Sequence, residues 1–296
     1  MNLFRISILS FGLPTLRAGF QFRYSDLYLT GNPLHTELTK QKKVALGKRL
    51  RHSPLVQTLG LRPNIEDYDE SELNLLRGAD TVYYPSSLYE DVFLALGKRV
   101  FPANYYGYMG NKIKQTELFT LLDIPHPRTR IYEGSQRTEH ILADFSFPFI
   151  AKVPLGSSKG GGVYLIRNRE DLQHYLSNCP QAYVQEYLPI DRDLRIVLVG
   201  AKVVHGYWRI ARPGEFRSNV SLGGRISFQD IPDGGLRFAE RVASLCKFDE
   251  VGLDICICRG KYLVLEANMV YGLKGFETAG LHIYQLLTQR LDEGGI

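Results

Sequence analysis

Residues 251–268 read VGLDICICRGKYLVLEAN. Two apolar runs, each with a carboxylate, flank Arg259-Gly260, which predicts an antiparallel hairpin. A three-residue connection, Arg259 to Lys261, pairs Cys258 with Tyr262, Cys256 with Val264 and Asp254 with Glu266. Side chains alternate with period two, so Ile255, Ile257, Leu263 and Leu265 then share one face. Asp254, Glu266 and Asn268 share the other. Unpaired carboxylates converging at one end of a hairpin repel one another. A hard divalent cation, or two, resolves the repulsion, and Mg²⁺ leaves room for phosphates and water. Salt-bridged strand-end acids are the plainer alternative. A two-residue loop places Glu266 on the opposite face and destroys the site.

The chain around this hairpin is 296 residues long, 44% hydrophobic and 23% charged. That is enough to bury a full core over two or three subdomains, with no long disordered segment expected. The apolar runs fall short of the roughly 20 residues a membrane helix needs. The opening MNLFRISILSFGLP is broken by Arg5, and no small-residue cleavage site precedes Tyr24 and Asp26. It reads as a buried first strand. Four cysteines at 179, 246, 256 and 258 have neither zinc spacing nor a disulfide pattern and are read as core. A soluble, cytoplasmic protein is expected. Net charge is +5, with Lys40, Lys42, Lys43, Lys48, Arg49, Arg51 and Arg62 in one acid-free stretch. This stretch lacks the aromatic interleaving of a single-strand platform and is read as a solvated face. Nucleic acid is not an expected partner by this reading.

Further motifs precede the hairpin. A small α/β unit is read in the first third, from FRISILSF, SSLYEDVFLALGK and RVFP. GNKIKQTELFTLLD predicts an amphipathic helix capped by Asn111, with Ile113, Leu118, Leu121 and Leu122 inward. Lys112 sits at its start, where an anion is favoured. Beyond Phe145 the pattern changes to strand pairs joined by glycine. FPFIAKVPLGSSKGGGVYLI places Lys152 at a strand end, followed by a glycine-rich loop whose amides can approach phosphate. It is not a Walker loop, since a strand follows and the lysine spacing is wrong. QEYLPIDRDLRIVLVG holds Glu186, Tyr187, Asp193 and Arg195; WRIARPGEFRSNVSLGG holds Arg209, Arg212, Arg217 and Asn219. A helix at GLRFAERVASLCKF precedes the hairpin, and another at LHIYQLLTQRL closes the chain.

The order of these motifs resembles the ATP-grasp superfamily, and within it the RimK-type carboxylate–amine (alpha-L-glutamate) ligases, over residues 105–290. The residues that carry the likeness are GNKIKQ, Lys152 with its loop, VQEYL, DLRIVLVG, GEFRSNVSLGG, VGLDI and the LEAN..YGLKGFE segment. The resemblance implies an α/β (α+β) ATP-grasp fold. It divides into an N-terminal α/β domain at 1–105, a central subdomain at 106–185 and a C-terminal antiparallel-sheet subdomain at 186–296. ATP is then bound between the last two.

The resemblance also implies roles. Lys112 and Lys152 bind phosphates, together with Gly156, Ser157, Ser158 and Gly161 of the loop. Glu186 and Tyr187 hold adenine, and Asp193 the ribose. Arg217 and Asn219 join Lys152 at the transferred phosphoryl group, with Arg195 and Arg209 toward the substrate. Asp254, Glu266 and Asn268 bind Mg²⁺, with Mn²⁺ as a possible substitute. The implied partners are a carboxylate substrate and an amine-bearing acceptor (an amino acid, peptide or protein tail), and relatives often form homo-oligomers. Three features depart from the family: Tyr271 stands where a proline is usual, Lys159 where a glycine is, and the stretch from Tyr187 to Asp193 is short. A phosphotransferase on the same fold and a nucleotide-binding regulator without turnover are the other readings.

Overall fold

In the computed structural model, residues 43–156, 162–215 and 223–296 are described. A parallel sheet comes first, ordered β2-β1-β3-β4, from β1 (Lys43–Ala45), β2 (Val56–Thr58), β3 (Thr81–Tyr83) and β4 (Arg99–Phe101). Parallel neighbours need crossover connections, and α1 (Glu70–Gly78) and α2 (Ser86–Ala95) supply them. A capping box starts α1: Asp69 accepts from the Glu72 amide, and Glu72 accepts from that of Asp69. The strand expected in FRISILSF lies outside the described residues.

The second sheet is antiparallel, ordered β5-β8-β6-β7, from β5 (Thr129–Tyr132), β6 (Phe149–Lys152), β7 (Val163–Ile166) and β8 (Ala182–Glu186). Its Phe149, Ala151, Ile166 and Val184 pack on α4 (Arg137–Asp144) and α5 (Arg169–Asn178) through Ile141, Leu172 and Tyr175. Helix α5 lies within the stretch beyond Phe145 read as strand pairs joined by glycine, and corrects that expectation. α5 is capped by Asn168 and buries only Leu172, Tyr175 and Leu176, too thin an apolar stripe to stand out in REDLQHYLSN. Alternation turns Ile150, Lys152, Tyr183 and Gln185 to the sheet's other face.

The third sheet is antiparallel too, ordered β11-β10-β9-β12-β13: β9 (Arg192–Val199), β10 (Lys202–Ile210), β11 (Arg225–Ser227), β12 (Glu250–Cys258) and β13 (Lys261–Asn268). Helix α6 (Asp233–Cys246) covers one face, setting Ala239, Val242 and Ala243 against Leu194, Ile196, Leu253 and Ile255. The other face is divided. Val197 and Val199 pack with Tyr271, Phe276 of α7 (Lys274–Thr278) and Leu287 of α8 (Ile283–Asp292), and with Ala45, Tyr84 and Phe101 of the first unit. The remainder carries Asp193, Arg195, Arg209 and Asp254, all buried.

The hairpin forms with a different turn from the one expected. Cys258 pairs with Lys261, so the loop is Arg259-Gly260 alone, both at positive φ (51° and 75°), as a two-residue hairpin of this twist requires. Ile255 and Ile257 therefore face Val264 and Tyr262, not Leu263 and Leu265. A bulge then shifts the register between Ile255 and Asp254: Leu265 is the extra residue, and Asp254 still pairs with Glu266. The two deviations cancel. Asp254, Glu266, Gly252 and Asn268 end on one face.

Helix α3 (Lys112–Leu121) also corrects the sequence reading. Its buried residues are Lys112, Gln115, Thr116 and Phe119, whereas Leu121 is 82% exposed. The inward face is polar because it looks onto the open edge of β13 and the charged face of the third sheet. Gln115 donates through Nε2 to the Ala267 carbonyl at 2.7 Å and accepts from the Ala267 amide at 3.1 Å. Its side-chain amide thus continues the sheet by one peptide-like rung.

Candidate active site

Lys112 and Lys152 are brought together by backbone. The Lys112 amide donates to the Pro154 carbonyl (3.0 Å) and the Gly156 amide to the Gly110 carbonyl (3.0 Å), so the start of α3 is stapled to the chain leaving β6. Asn111 caps α3 as expected, its side chain accepting from the Lys114 amide. Lys112 Nζ lies 3.0 Å from Glu266 Oε1. Lys152 Nζ donates to the carbonyl of Leu265, the bulged residue, at 3.4 Å, and sits 5.8 Å from the centre of the Tyr183 ring. The bulge therefore does two things: it restores the face of Glu266 and offers a carbonyl to the second lysine. Burial pulls the Lys152 ammonium below the ordinary lysine pKa; Glu266 opposes this and Lys112 adds to it. Burial pushes the Tyr183 hydroxyl up to about 12, and Thr116 hydrogen-bonds that hydroxyl at 2.7 Å.

Beside the lysines lies a buried ionic cluster. Arg195 grips both oxygens of Asp254, and Arg209 Nη2 reaches Oδ2 at 2.9 Å. Arg209 also holds both oxygens of Asp193, at 2.7 and 2.9 Å. Asn268 Nδ2 donates to Asp254 Oδ2 at 3.2 Å. Burial alone would raise the Asp254 pKa; Arg195 and then Arg209 outweigh it and hold the carboxyl below the usual aspartate value. Among the described residues, Lys112, Lys152, Arg195 and Arg209 face the three carboxylates of Asp193, Asp254 and Glu266. The cluster has a surplus of positive charge, which suits a polyanion.

The donor set fits a hard divalent cation on one condition. Glu266 and Asn268 bring oxygens, but Asp254 meets four N–H groups, about as many as a carboxylate has lone-pair positions. Asn268 is the uncharged donor among the four. Turning its amide frees a lone pair on Asp254 and presents the amide oxygen. A bare cation would meet the positive surplus, whereas one accompanied by phosphates would not.

The other expected residues fall as follows. Glu186 ends β8, where its amide donates to the Arg128 carbonyl (2.9 Å) and its carboxylate accepts from the Arg128 amide (2.7 Å); Tyr187 follows half-buried. Gly156 adopts φ 68° at the loop start. Ser157, Ser158, Lys159, Gly161, Arg217 and Asn219 lie outside the described residues. Of the basic stretch, Lys40 and Lys42 lie outside the described residues, Lys48 and Arg51 are exposed, and the other three are engaged internally. Arg62 makes a bidentate pair with Glu72 (2.7 and 2.8 Å), Lys43 Nζ donates to the Ile296 carbonyl (3.2 Å), and Arg49 pairs with Glu250. Sequence reasoning missed Glu250, although period two from Asp254 through Gly252 leads straight to it. Gln115 carried no comparable signal.

A model of the RimK-like ATP-grasp domain matches residues 109–291. The chain is 26% identical over 189 residues to the coenzyme gamma-F420-2:alpha-L-glutamate ligase of Methanocaldococcus jannaschii, covering 61% of this chain and 65% of that one. It is 28% identical over 165 residues to beta-citrylglutamate synthase B of Homo sapiens, covering 53% and 42%. It thus spans less than two thirds of either relative. Among solved structures, the ATP-grasp ligase PsnB with minimal precursor, Mg and ADP superposes with a TM-score of 0.61 at 16% identity, covering 86% of this chain and 98% of that one. The RimK domain ATP-grasp protein of Sphaerobacter thermophilus gives 0.58 at 15%, covering 84% and 98%. No helix among the described residues is long and apolar enough to cross a membrane. The family match takes in both lysines, the ionic cluster and the bulged hairpin, and by it the chain belongs to the RimK-like ATP-grasp family.

Proposed function

We propose that the chain is an ATP-dependent carboxylate–amine ligase, its three parts dividing at about 1–105, 106–185 and 186–296. The observation that carries this reading is the buried site where, among the described residues, four cations meet three carboxylates between the open face of the second sheet and the charged face of the third. A carboxylate is a poor electrophile, because its leaving group would be oxide. Transfer of the γ-phosphoryl group of ATP to its oxygen gives an acyl phosphate and ADP. An amine lone pair then attacks the acyl carbon, the C–O bond to phosphate breaks, and amide and inorganic phosphate leave.

In this reading Lys112 and Lys152 take the phosphates of ATP, Lys112 exchanging Glu266 for phosphate oxygen. Lys152 neutralises charge that grows on the transferred group, an electrostatic role worth more in a buried site than in water. Glu186 and Tyr187 flank adenine. Asp193 reaches a ribose if Arg209 yields one of its oxygens. Arg195 and Arg209 act first as positioning residues, since both are engaged with Asp254. Asp254, Glu266 and Asn268 would hold Mg²⁺, or Mn²⁺ in its place, which when bound supplies further neutralisation of phosphate charge. Arg217 and Asn219, with Ser157, Ser158 and Gly161, keep the roles that the family resemblance implies.

Glutamate appears in the names of both curated relatives and is the first amine to test. The experiment is a screen of amino acids and peptides for ADP release, with mass spectrometry on the products. A carboxylate–amine pair that releases ADP and yields one amide per ADP is the expected result. A phosphorylated product accumulating without amide would establish the phosphotransferase instead.

A further inference from the structure

We propose that Tyr271, anchored by Glu250, is a positioning residue that aims Asn268 at the divalent-cation site; this rests on the ligase reading above. Three observations converge. The Tyr271 hydroxyl donates to Glu250 Oε1 at 2.7 Å, while Glu250 Oε2 accepts from Tyr84 at 2.7 Å and Arg49 completes the pair. Glu250 is 1% exposed, so its anchors do not exchange for water. The Tyr271 ring stacks on Phe276 with centroids 6.2 Å apart and lies 5.5 Å from the Arg49 guanidinium. The side chain is fixed at its tip and on its faces.

The base of Tyr271 is what touches the site. Gly252 is the cross-strand partner of Asn268, so the two share a face. A Cβ on Gly252 would lie 2.9 Å from the Tyr271 Cβ. Tyr271 therefore fills the space beside Asn268 on its cross-strand side. What remains to Asn268 is the diagonal direction toward Asp254, where its amide already hydrogen-bonds at 3.2 Å. The family resemblance puts a proline at this position, which stiffens a chain through φ. Here an anchored side chain supplies the restraint three residues beyond the candidate ligand.

The test compares two variants that each remove one hydroxyl from the same carboxylate. Tyr271→Phe and Tyr84→Phe both take a 2.7 Å hydrogen bond from Glu250, and Tyr271→Phe also removes the acceptor 3.2 Å from Arg49 Nη2, so its loss of thermal stability should be somewhat the larger. Binding of Mn²⁺ in the presence of a non-hydrolysable ATP analogue, read as loss of the free-ion EPR signal, should separate them. Tyr271→Phe should weaken Mn²⁺ binding about tenfold, as loss of a ligand's supporting hydrogen bond does elsewhere, and Tyr84→Phe should stay within about twofold. Asn268→Ala combined with Tyr271→Phe should bind no more weakly than Asn268→Ala alone, because the tyrosine acts through the asparagine. Equal weakening in both single variants, unchanged binding in Tyr271→Phe, or full additivity in the double variant would overturn the proposal. If the unaltered protein takes up no Mn²⁺ with the analogue, the metal reading itself falls and the proposal with it. Binding by the unaltered protein together with any of the first three results sinks the positioning role alone.

Discussion

Glu250 and Asp254 project from the same face of β12, four residues apart and almost fully buried, yet they are held in different ways. Around Glu250 are one arginine and two phenol hydroxyls, and apolar contacts from the first sheet, α7 and α8 close over them. Burial, and then the Glu250 charge, lift both hydroxyls well above the usual tyrosine pKa, so they stay neutral donors. Around Asp254 two arginines compete for one carboxylate, a second carboxylate shares one of them, and two lysines stand close by. Among the described residues the first cluster balances its own charge, and the second has a positive excess. A buried charge that is matched locally stabilises a junction, and a mismatched one anticipates something absent from the chain.

If that contrast is right, perturbing the two clusters should give opposite kinds of damage. Glu250→Ala leaves the Arg49 guanidinium without its carboxylate at a largely buried site and should cost about 3–5 kcal/mol of stability, read by denaturant unfolding. A loss of activity without that loss of stability would break the comparison from one side. Lys152→Ala should reduce ligation by about 10²–10³-fold, roughly 3–4 kcal/mol in the barrier, with stability unchanged or improved. A cation held below its ordinary pKa by burial does not favour the folded state. Severe unfolding of Lys152→Ala would break the comparison from the other side.

Smaller effects sharpen it. Gly252→Ala forces a Cβ to within 2.9 Å of Tyr271 and should cost about 1–3 kcal/mol, disturbing both clusters because Gly252 lies between their acids. Acid titration should affect the Asp254 cluster in a defined direction. The folded-state pKa of Asp254 is depressed, so its contribution is complete above the unfolded value near 3.8 and is lost as pH falls through the lower folded value. Arg209→Met should flatten that acid limb of the stability profile. The smallest effect is protonic. Phosphate beside Lys152 should raise its depressed pKa, so nucleotide binding at alkaline pH should take up less than about one proton. Calorimetry in buffers of different ionisation heat reads this directly, and Lys152→Met should abolish it.

The pairing of β12 with β13 and the shared face of Asp254, Glu266 and Asn268 were legible from period-two alternation. So was the strand that ends on Lys152. The turn was misread because RG and RGK both suit a hairpin, and a bulge leaves no mark on alternation until the partner strand is known. Helix α3 was oriented by its leucines, yet its buried side carries Lys112, Gln115 and Thr116, whose burial is satisfied by partners distant in sequence. Arg49 read as part of a basic surface for the same reason: its carboxylate lies 201 residues away.

The bulge at Leu265 gives the hairpin an arithmetic of parity. A two-residue turn and one surplus residue place Glu266 on the same side as a three-residue turn and none. Leu265 is the unpaired residue, so deleting it should leave Val264 opposite Ile255 and Glu266 opposite Asp254 and remove only the bulge. The order of faces survives such a deletion. The carbonyl that Leu265 offers to Lys152 does not. A chain shortened in this way should keep its acids and lose a lysine's tether, a change silent for folding and audible in catalysis.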